Sequence, residues 1–200
     1  MAGGSVTTEH DMAQVDRANA SEGTPVTPGW PDDPDAAVSV AIDPAPFRGV
    51  LPLPISALRS GSPVLGNPAN RSRAVPLTYE QFRYAFANAV SEEEARYLHE
   101  TFAVPAPGKP PFQAAAANLN PWTEAKVDTR NPDRGQMLII SGEKDRTIPW
   151  ALANAAFKRQ QRNDEVTEIV EMPGRGHALT IDSGWREVAD TALQFVQRFA

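Results

Sequence analysis

The spacing of apolar positions changes near residue 37. Before it the chain is polar and acidic, and VTPGWPDDPD at 26–35 strings together the turn formers Pro28-Gly29 and Asp33-Pro34. Residues 1–37 therefore read as a weakly ordered N-terminal segment. AVSVAI at 37–42 is a short, β-branched apolar run closed by Asp43-Pro44, the pattern of a buried strand. Residues 44–77 are rich in proline and show no helix period, yet Phe47, Val50, Leu51, Leu53, Ile55 and Leu58 recur through them. That predicts a long packed excursion, not a linker or a polyproline ligand.

From Thr78 the period becomes helical. Thr78 can cap a helix that carries Phe82 and Phe86 four residues apart. SEEE at 91–94 has the form of a capping box, in which Ser91 accepts from the Glu94 amide and Glu94 reaches back. The helix that follows presents Ala95, Leu98 and Phe102, and Pro105 and Pro107 stop it. A short helix is expected within 111–120. Then come QMLIIS (136–141) as a continuous apolar strand, a helix opened by Pro149 and running to about Gln161, and VTEIVEM (166–172) as a second strand. An amphipathic helix from Ser183 to Phe199 closes the chain, with Trp185, Val188, Ala192, Phe195, Val196 and Phe199 on one side. Strand–helix–strand–helix order predicts an α/β fold with a parallel sheet and right-handed crossovers. No internal repeat is present.

Composition narrows the function classes. The chain has 200 residues, 41% of them hydrophobic, enough for one domain with a core or two small ones. Nineteen basic and 25 acidic residues leave a net charge of −6 without a basic cluster, which argues against a nucleic-acid partner. Cysteine is absent, so thiolate metal sites, disulfides and cysteine nucleophiles are excluded. No apolar run approaches the roughly 20 residues that span a bilayer, and MAGGSVTTEHDMAQ lacks the features of a secretory signal. The expected setting is cytoplasmic, with no membrane partner. Three histidines without metal-ligand spacing predict no metal, and the lack of a G-x-G-x-x-G or Walker loop predicts no organic cofactor.

In parallel α/β sheets, ligands sit beyond the carboxyl ends of the strands. SGEKDRTIPW (141–150) and MPGRGHALT (172–180) occupy that place, and they carry Asp145 and His177. A carboxylate after one strand and a histidine after the next can meet, and the carboxylate then fixes the imidazole tautomer and stabilises its cation. Such a pair serves a nucleophile as general base. Asp43 also ends a strand and competes for the acid position. Glu143 reads as a solvated turn residue, Asp145 could also be a helix-start acid, His99 as an exposed residue of a charged helix, and His10 as part of the weakly ordered start. Phe82, Tyr84, Phe86 and Trp122 read as helical core first, and could line a ligand pocket as well. Asp182 and Trp185 read as the start and the inner face of the last helix.

LIISGEKDRTIPW and GRGHALTIDSGW resemble the acid loop and the histidine loop of the α/β-hydrolase family. The resemblance implies a truncated α/β-hydrolase parallel sheet with a helical cap. Residues 38–200 would form the family's C-terminal half, with the cap at about 44–130, and residues 1–37 a remnant of its N-terminal half. It makes Asp145 the triad acid and His177 the triad base, and it implies a small apolar ester-like substrate or ligand. AVSVAIDPAP resembles the strand that follows the family's nucleophile helix. The family's G-x-S-x-G turn is missing: Ser5, Ser62, Ser141 and Ser183, the serines nearest to glycine, all fail it. An aspartate in that turn and the H-G oxyanion loop are missing too. These departures imply an internal loss with a seam near 35–38, little turnover by this chain alone, and a strand edge left open to self-association.

Overall fold

The computed structural model describes residues 37–199. The expectations for residues 1–36, including Ser5 and His10, lie outside them. A parallel three-stranded sheet has the order β1 (Val38–Ile42), β4 (Gln136–Gly142), β5 (Thr167–Met172). Between β1 and β4 come helix α1 (Ile55–Leu65), a 3₁₀ turn (Pro68–Ser72), strand β2 (Ala74–Val75), helices α2 (Tyr79–Ala85) and α3 (Glu92–Phe102), strand β3 (Ala106–Pro107) and helix α4 (Lys109–Ala116). Helix α5 (Trp150–Gln160) follows β4, and α6 (Trp185–Gln197) follows β5. Among the described residues no helix is long and apolar enough to cross a membrane.

β4 organises the core. It is paired on both edges and covered on both faces, which is why its sequence is a continuous apolar run. Met137 and Ile139 pack with Phe47, Val50, Leu152 and Ala156 on one face. Leu138 and Ile140 pack with Leu179, Val188 and Phe195 on the other. Each such aliphatic side chain contributes about 1.5–3 kcal/mol when taken out of water. β1 differs from the expected buried strand. Only Ser39 and Ala41 are buried, because among the described residues β1 has a neighbour on one edge alone. In α6, Val188 and Phe195 face the sheet, whereas Trp185 is 43% exposed beneath the Arg186 guanidinium and is not on the inner face.

The excursion 44–77 contains a helix that its sequence hides. No residue of α1 is fully buried, and Pro63 lies inside it. Pro63 has no N–H to offer the Arg59 carbonyl, and the Ser62 hydroxyl donates to that oxygen instead at 2.8 Å. β2 and β3 form a small antiparallel pair that the sequence pattern also concealed. α2 and α3 enclose a second core of Phe82, Ala87, Ala95 and Leu98, which also takes in Ala178 from the histidine loop. The capping box sits at Thr78, whose hydroxyl accepts from the Gln81 amide while Gln81 accepts from the Thr78 amide. At Ser91 only half of the expected box exists. Ser91 accepts from the Glu94 amide at 3.1 Å, but the Glu94 carboxylate leaves its own helix and accepts from the Ser183 amide at 2.6 Å and hydroxyl at 3.1 Å. His99 is also not simply exposed. Its ring packs edge-on to Tyr79 and Phe82, and its Nε2 meets the Leu77 carbonyl at 3.2 Å.

Gly142, the last residue of β4, is where the acid and histidine loops pass closest. A Cβ there would lie 2.6 Å from the Gly176 carbonyl oxygen and 2.7 Å from that of Arg175. Backbone cannot move aside as a side chain can, so Gly142→Ala is expected to cost about 1–3 kcal/mol. Chemical denaturation checks this, and a midpoint equal to wild type would show that the loops do not approach as described.

Candidate active site

β4 ends at Gly142, and the tight turn that follows delivers Asp145 with its amide donating to the Gly142 carbonyl at 3.1 Å. The Asp145 carboxylate is fully buried. Its Oδ1 accepts from the Thr147 and Ile148 amides at 2.6 and 2.8 Å, just before α5 begins. Those two bonds fix the carboxylate plane, leaving Oδ2 to accept from His177 Nδ1 at 2.7 Å. The histidine loop is held against the acid loop by backbone: Lys144 N–H donates to the Arg175 carbonyl at 2.8 Å. Arg175 in turn bonds Asp182, the Gly184 carbonyl and Glu187, tying the loop to the start of α6. Asp182 thus does stand at the helix start, 2% exposed, and accepts from the Gly184 amide at 3.0 Å.

Asp43 belongs to the same cluster. It ends β1 with φ of +43°, a left-handed conformation that aspartate tolerates better than most residues. Its amide donates to the Ile140 carbonyl at 2.8 Å and its Oδ1 accepts from the Gly142 amide at 3.3 Å. Oδ2 has no hydrogen-bond partner and lies 3.6 Å from His177 Nδ1. Asp145 is therefore the nearer of the two carboxylates, and Asp43 flanks it. Burial first, and then the charge of Asp145, push the Asp43 carboxyl up to about 9. Near neutral pH Asp43 carries a proton, so the imidazole faces one carboxylate and one carboxylic acid.

The ligand atoms of Asp43, Asp145 and His177 lie within 4.8 Å of one another, so a cation could be accommodated in principle. It would have to take the imidazole nitrogen that Asp145 already holds and displace the proton on Asp43. Asp145 and His177 already satisfy each other, and only Asp43 Oδ2 is left without a partner.

Several contacts had no signal in the sequence. Phe86 sets its ring edge-to-face against His177, centroids 4.9 Å apart, so this aromatic is a wall of the site as well as part of the α2–α3 core. Asn88 donates to the Lys144 carbonyl at 2.9 Å and packs against Gly176, pinning the helical layer to both loops. These partners come from distant parts of the chain, and no spacing rule connects them. Glu143 is exposed, as read, but accepts from the Gly174 amide at 2.6 Å and so bridges the two loops. Trp122 is 87% exposed and belongs to no core. Ser62 bonds the Arg59 carbonyl, Ser183 bonds Glu94, and the Ser141 hydroxyl is buried without a partner. Among the described residues no hydroxyl hydrogen-bonds His177.

The protonated Asp43 gives a pH dependence with a definite sign. Unfolded, this carboxyl ionises near 3.8; folded, it holds its proton to about 9. Between those values the folded state binds the extra proton, so stability falls as pH rises. Asp43→Asn removes this slope. Denaturation at about pH 5 and about pH 8 is expected to show wild type losing stability relative to the variant at the higher pH. Parallel curves would show that Asp43 ionises normally.

Comparison with known proteins agrees with this architecture. The sequence profile described as "Alpha/beta hydrolase family" matches residues 2–191. Among solved structures, bromoperoxidase from Bacillus anthracis superposes with a TM-score of 0.50 at 16% identity, covering 80% of this chain and 58% of that one. Esterase RhEst1 from Rhodococcus sp. ECU1013 gives 0.50 at 18% identity, covering 82% and 57%. The chain thus spans less than two thirds of either structure's length. No curated protein matches the sequence. From a profile that matches nearly its whole length, and from a parallel sheet with helices like those of these two structures, the chain belongs to the alpha/beta hydrolase family.

Proposed function

We propose that this chain carries the acid–base half of a centre for hydrolysing small ester or acyl substrates, and that it turns over little or no ester by itself. The supporting observation is the 2.7 Å bond from His177 Nδ1 to the buried Asp145 carboxylate at the carboxyl end of β4. In this reading Nε2 of His177 takes the proton of the attacking hydroxyl as base and returns it to the leaving alkoxide as acid. Asp145 holds the ring in the tautomer that leaves Nε2 free and stabilises the imidazolium that forms. What is missing is the attacking group, since the sequence has no G-x-S-x-G turn. An acid–base pair without its nucleophile does not restore turnover.

A family match that begins at residue 2 supports reading residues 1–37 as derived from the N-terminal half of the same fold, joined near 35–38 to the C-terminal half. A net charge of −6 and the absence of cysteine fit a cytoplasmic setting and a small apolar partner.

A second reading, a binding module without chemistry, is favoured by Leu51, Leu53 and Ile55. Leu51 and Leu53 precede α1 and Ile55 begins it, all three 70–84% exposed, and among the described residues β1 is paired on one edge alone.

Hydrolysis of p-nitrophenyl acetate and butyrate by wild type and by His177→Ala tests the first reading. Both are expected to match the buffer rate, and a fluorophosphonate probe is expected to leave the protein unlabelled. Wild-type turnover that is lost in the variant would reveal a working nucleophile and overturn the expectation of inactivity.

A further inference from the structure

Three segments remote in sequence each bring a pair of adjacent residues to one place beside Asp145. α1 supplies Arg59 and Ser60, α2 supplies Tyr84 and Ala85, and the acid loop supplies Arg146 and Thr147. The second residue of each pair builds a hydrogen-bonded chain. Thr147 Oγ1 donates to the Ala85 carbonyl at 2.8 Å and so accepts from Ser60 Oγ at 2.7 Å. The first residue of each pair builds a cationic clamp. The Arg59 guanidinium carbon lies 4.2 Å from the Tyr84 ring centroid, and that of Arg146 lies 4.8 Å from the same centroid.

Lying over the ring spends none of the guanidinium N–H donors in a hydrogen bond. Each group carries five N–H donors in a fixed fork. Among the described residues neither Arg59 nor Arg146 donates a side-chain hydrogen bond, and neither has a carboxylate within 4.0 Å. Two like charges brought to one ring without a counter-ion create a place where an added oxyanion is favoured. The half-buried hydroxyl chain beside them keeps the three segments in register, so the clamp exists before any ligand arrives.

The clamp is also tied to the catalytic pair. Arg146 follows Asp145 directly, and the Thr147 amide donates to Asp145 Oδ1 at 2.6 Å. We propose that Arg59 and Arg146, stacked on Tyr84, bind the carboxylate end of a small acyl ligand whose ester end lies at His177. The ligand class is a monoester of a dicarboxylic acid. Placing the ester end at His177 rests on the functional reading above; carboxylate binding by the clamp does not.

The test is a titration of the full chain, isotope-labelled for NMR, with monomethyl succinate and with its neutral dimethyl ester. The monoester is expected to shift the Arg59 and Arg146 Nε–H signals and the His177 ring signals, and to bind about tenfold more tightly than the diester. Arg59→Gln and Arg146→Gln are each expected to weaken it about threefold, and the double variant to abolish the difference between the two esters. Equal affinity of the two esters for wild type overturns the clamp without recourse to any variant. So does monoester binding by the double variant at wild-type strength. Inorganic phosphate binding more tightly than the monoester would overturn the carboxylate assignment in favour of a phosphate ligand. Shifts at both arginines with unchanged His177 signals would keep the clamp and overturn the placement of the ester. His177→Ala that binds the monoester as wild type does, together with the absence of hydrolysis, would leave the clamp standing independently of the catalytic reading.

Discussion

With carbonyl oxygens of Arg175 and Gly176 standing 2.7 and 2.6 Å from where a side chain would begin, Gly142 lets two loops cross backbone to backbone. The rest of the site inherits its dimensions from that crossing. The Lys144–Arg175 backbone bond and the Gly174–Glu143 contact follow from it, and they set Asp145 and His177 at hydrogen-bonding distance. The same glycine offers its amide to Asp43, so the end of β1 is drawn into the cluster as well. One residue without a side chain thereby positions the three side chains of the cluster. The packing of β4 makes this durable, because a strand buried on both faces and paired on both edges cannot shift its register without turning Ile139 and Ile140 to the wrong sides.

The electrostatics of the cluster follow from topology rather than from any single pair. Parallel neighbours place the carboxyl ends of β1 and β4 side by side, and both strands end in an acidic segment. Two buried carboxyls so close cannot both ionise cheaply. Asp145 accepts from two backbone amides and the imidazole, whereas burial and the neighbouring Asp145 push the Asp43 carboxyl upward against a single backbone donor. The acid and its flanking carboxyl are thus told apart by their donors, not by their identity, which is aspartate in both cases.

Much of the sheet and its helices was legible in the sequence. A continuous apolar run marks a strand covered on both faces, as β4 is, and a proline at a helix start marked α5. Asp145 and His177 were legible because each sits in a short loop directly after a strand, where parallel topology brings them together. Helix α1 was not legible, since a helix that buries no side chain completely leaves no apolar stripe, and its Pro63 argues against a helix until the Ser62 hydroxyl is seen to serve the Arg59 carbonyl. Glu94 misled for a different reason. Its position suits a capping box, yet the open donors of Ser183 offered two partners in place of one. Asp43 was legible as a rival acid at a strand end, whereas the approach of Phe86 and Asn88 to the histidine loop depends on long-range packing that local spacing does not encode.

The Glu94–Ser183 contact also decides how the helical layer can move. Helix α6 has no side-chain cap of its own at Gly184, so the residue just before its start is held from α3, across the layer boundary. Lifting α3 away from the sheet releases Ser183, and with it one contact of the seven-residue arc that begins at His177. The helical layer and the histidine loop are therefore joined at Ser183, while Arg175 holds the same arc from the sheet side through Asp182 and Gly184.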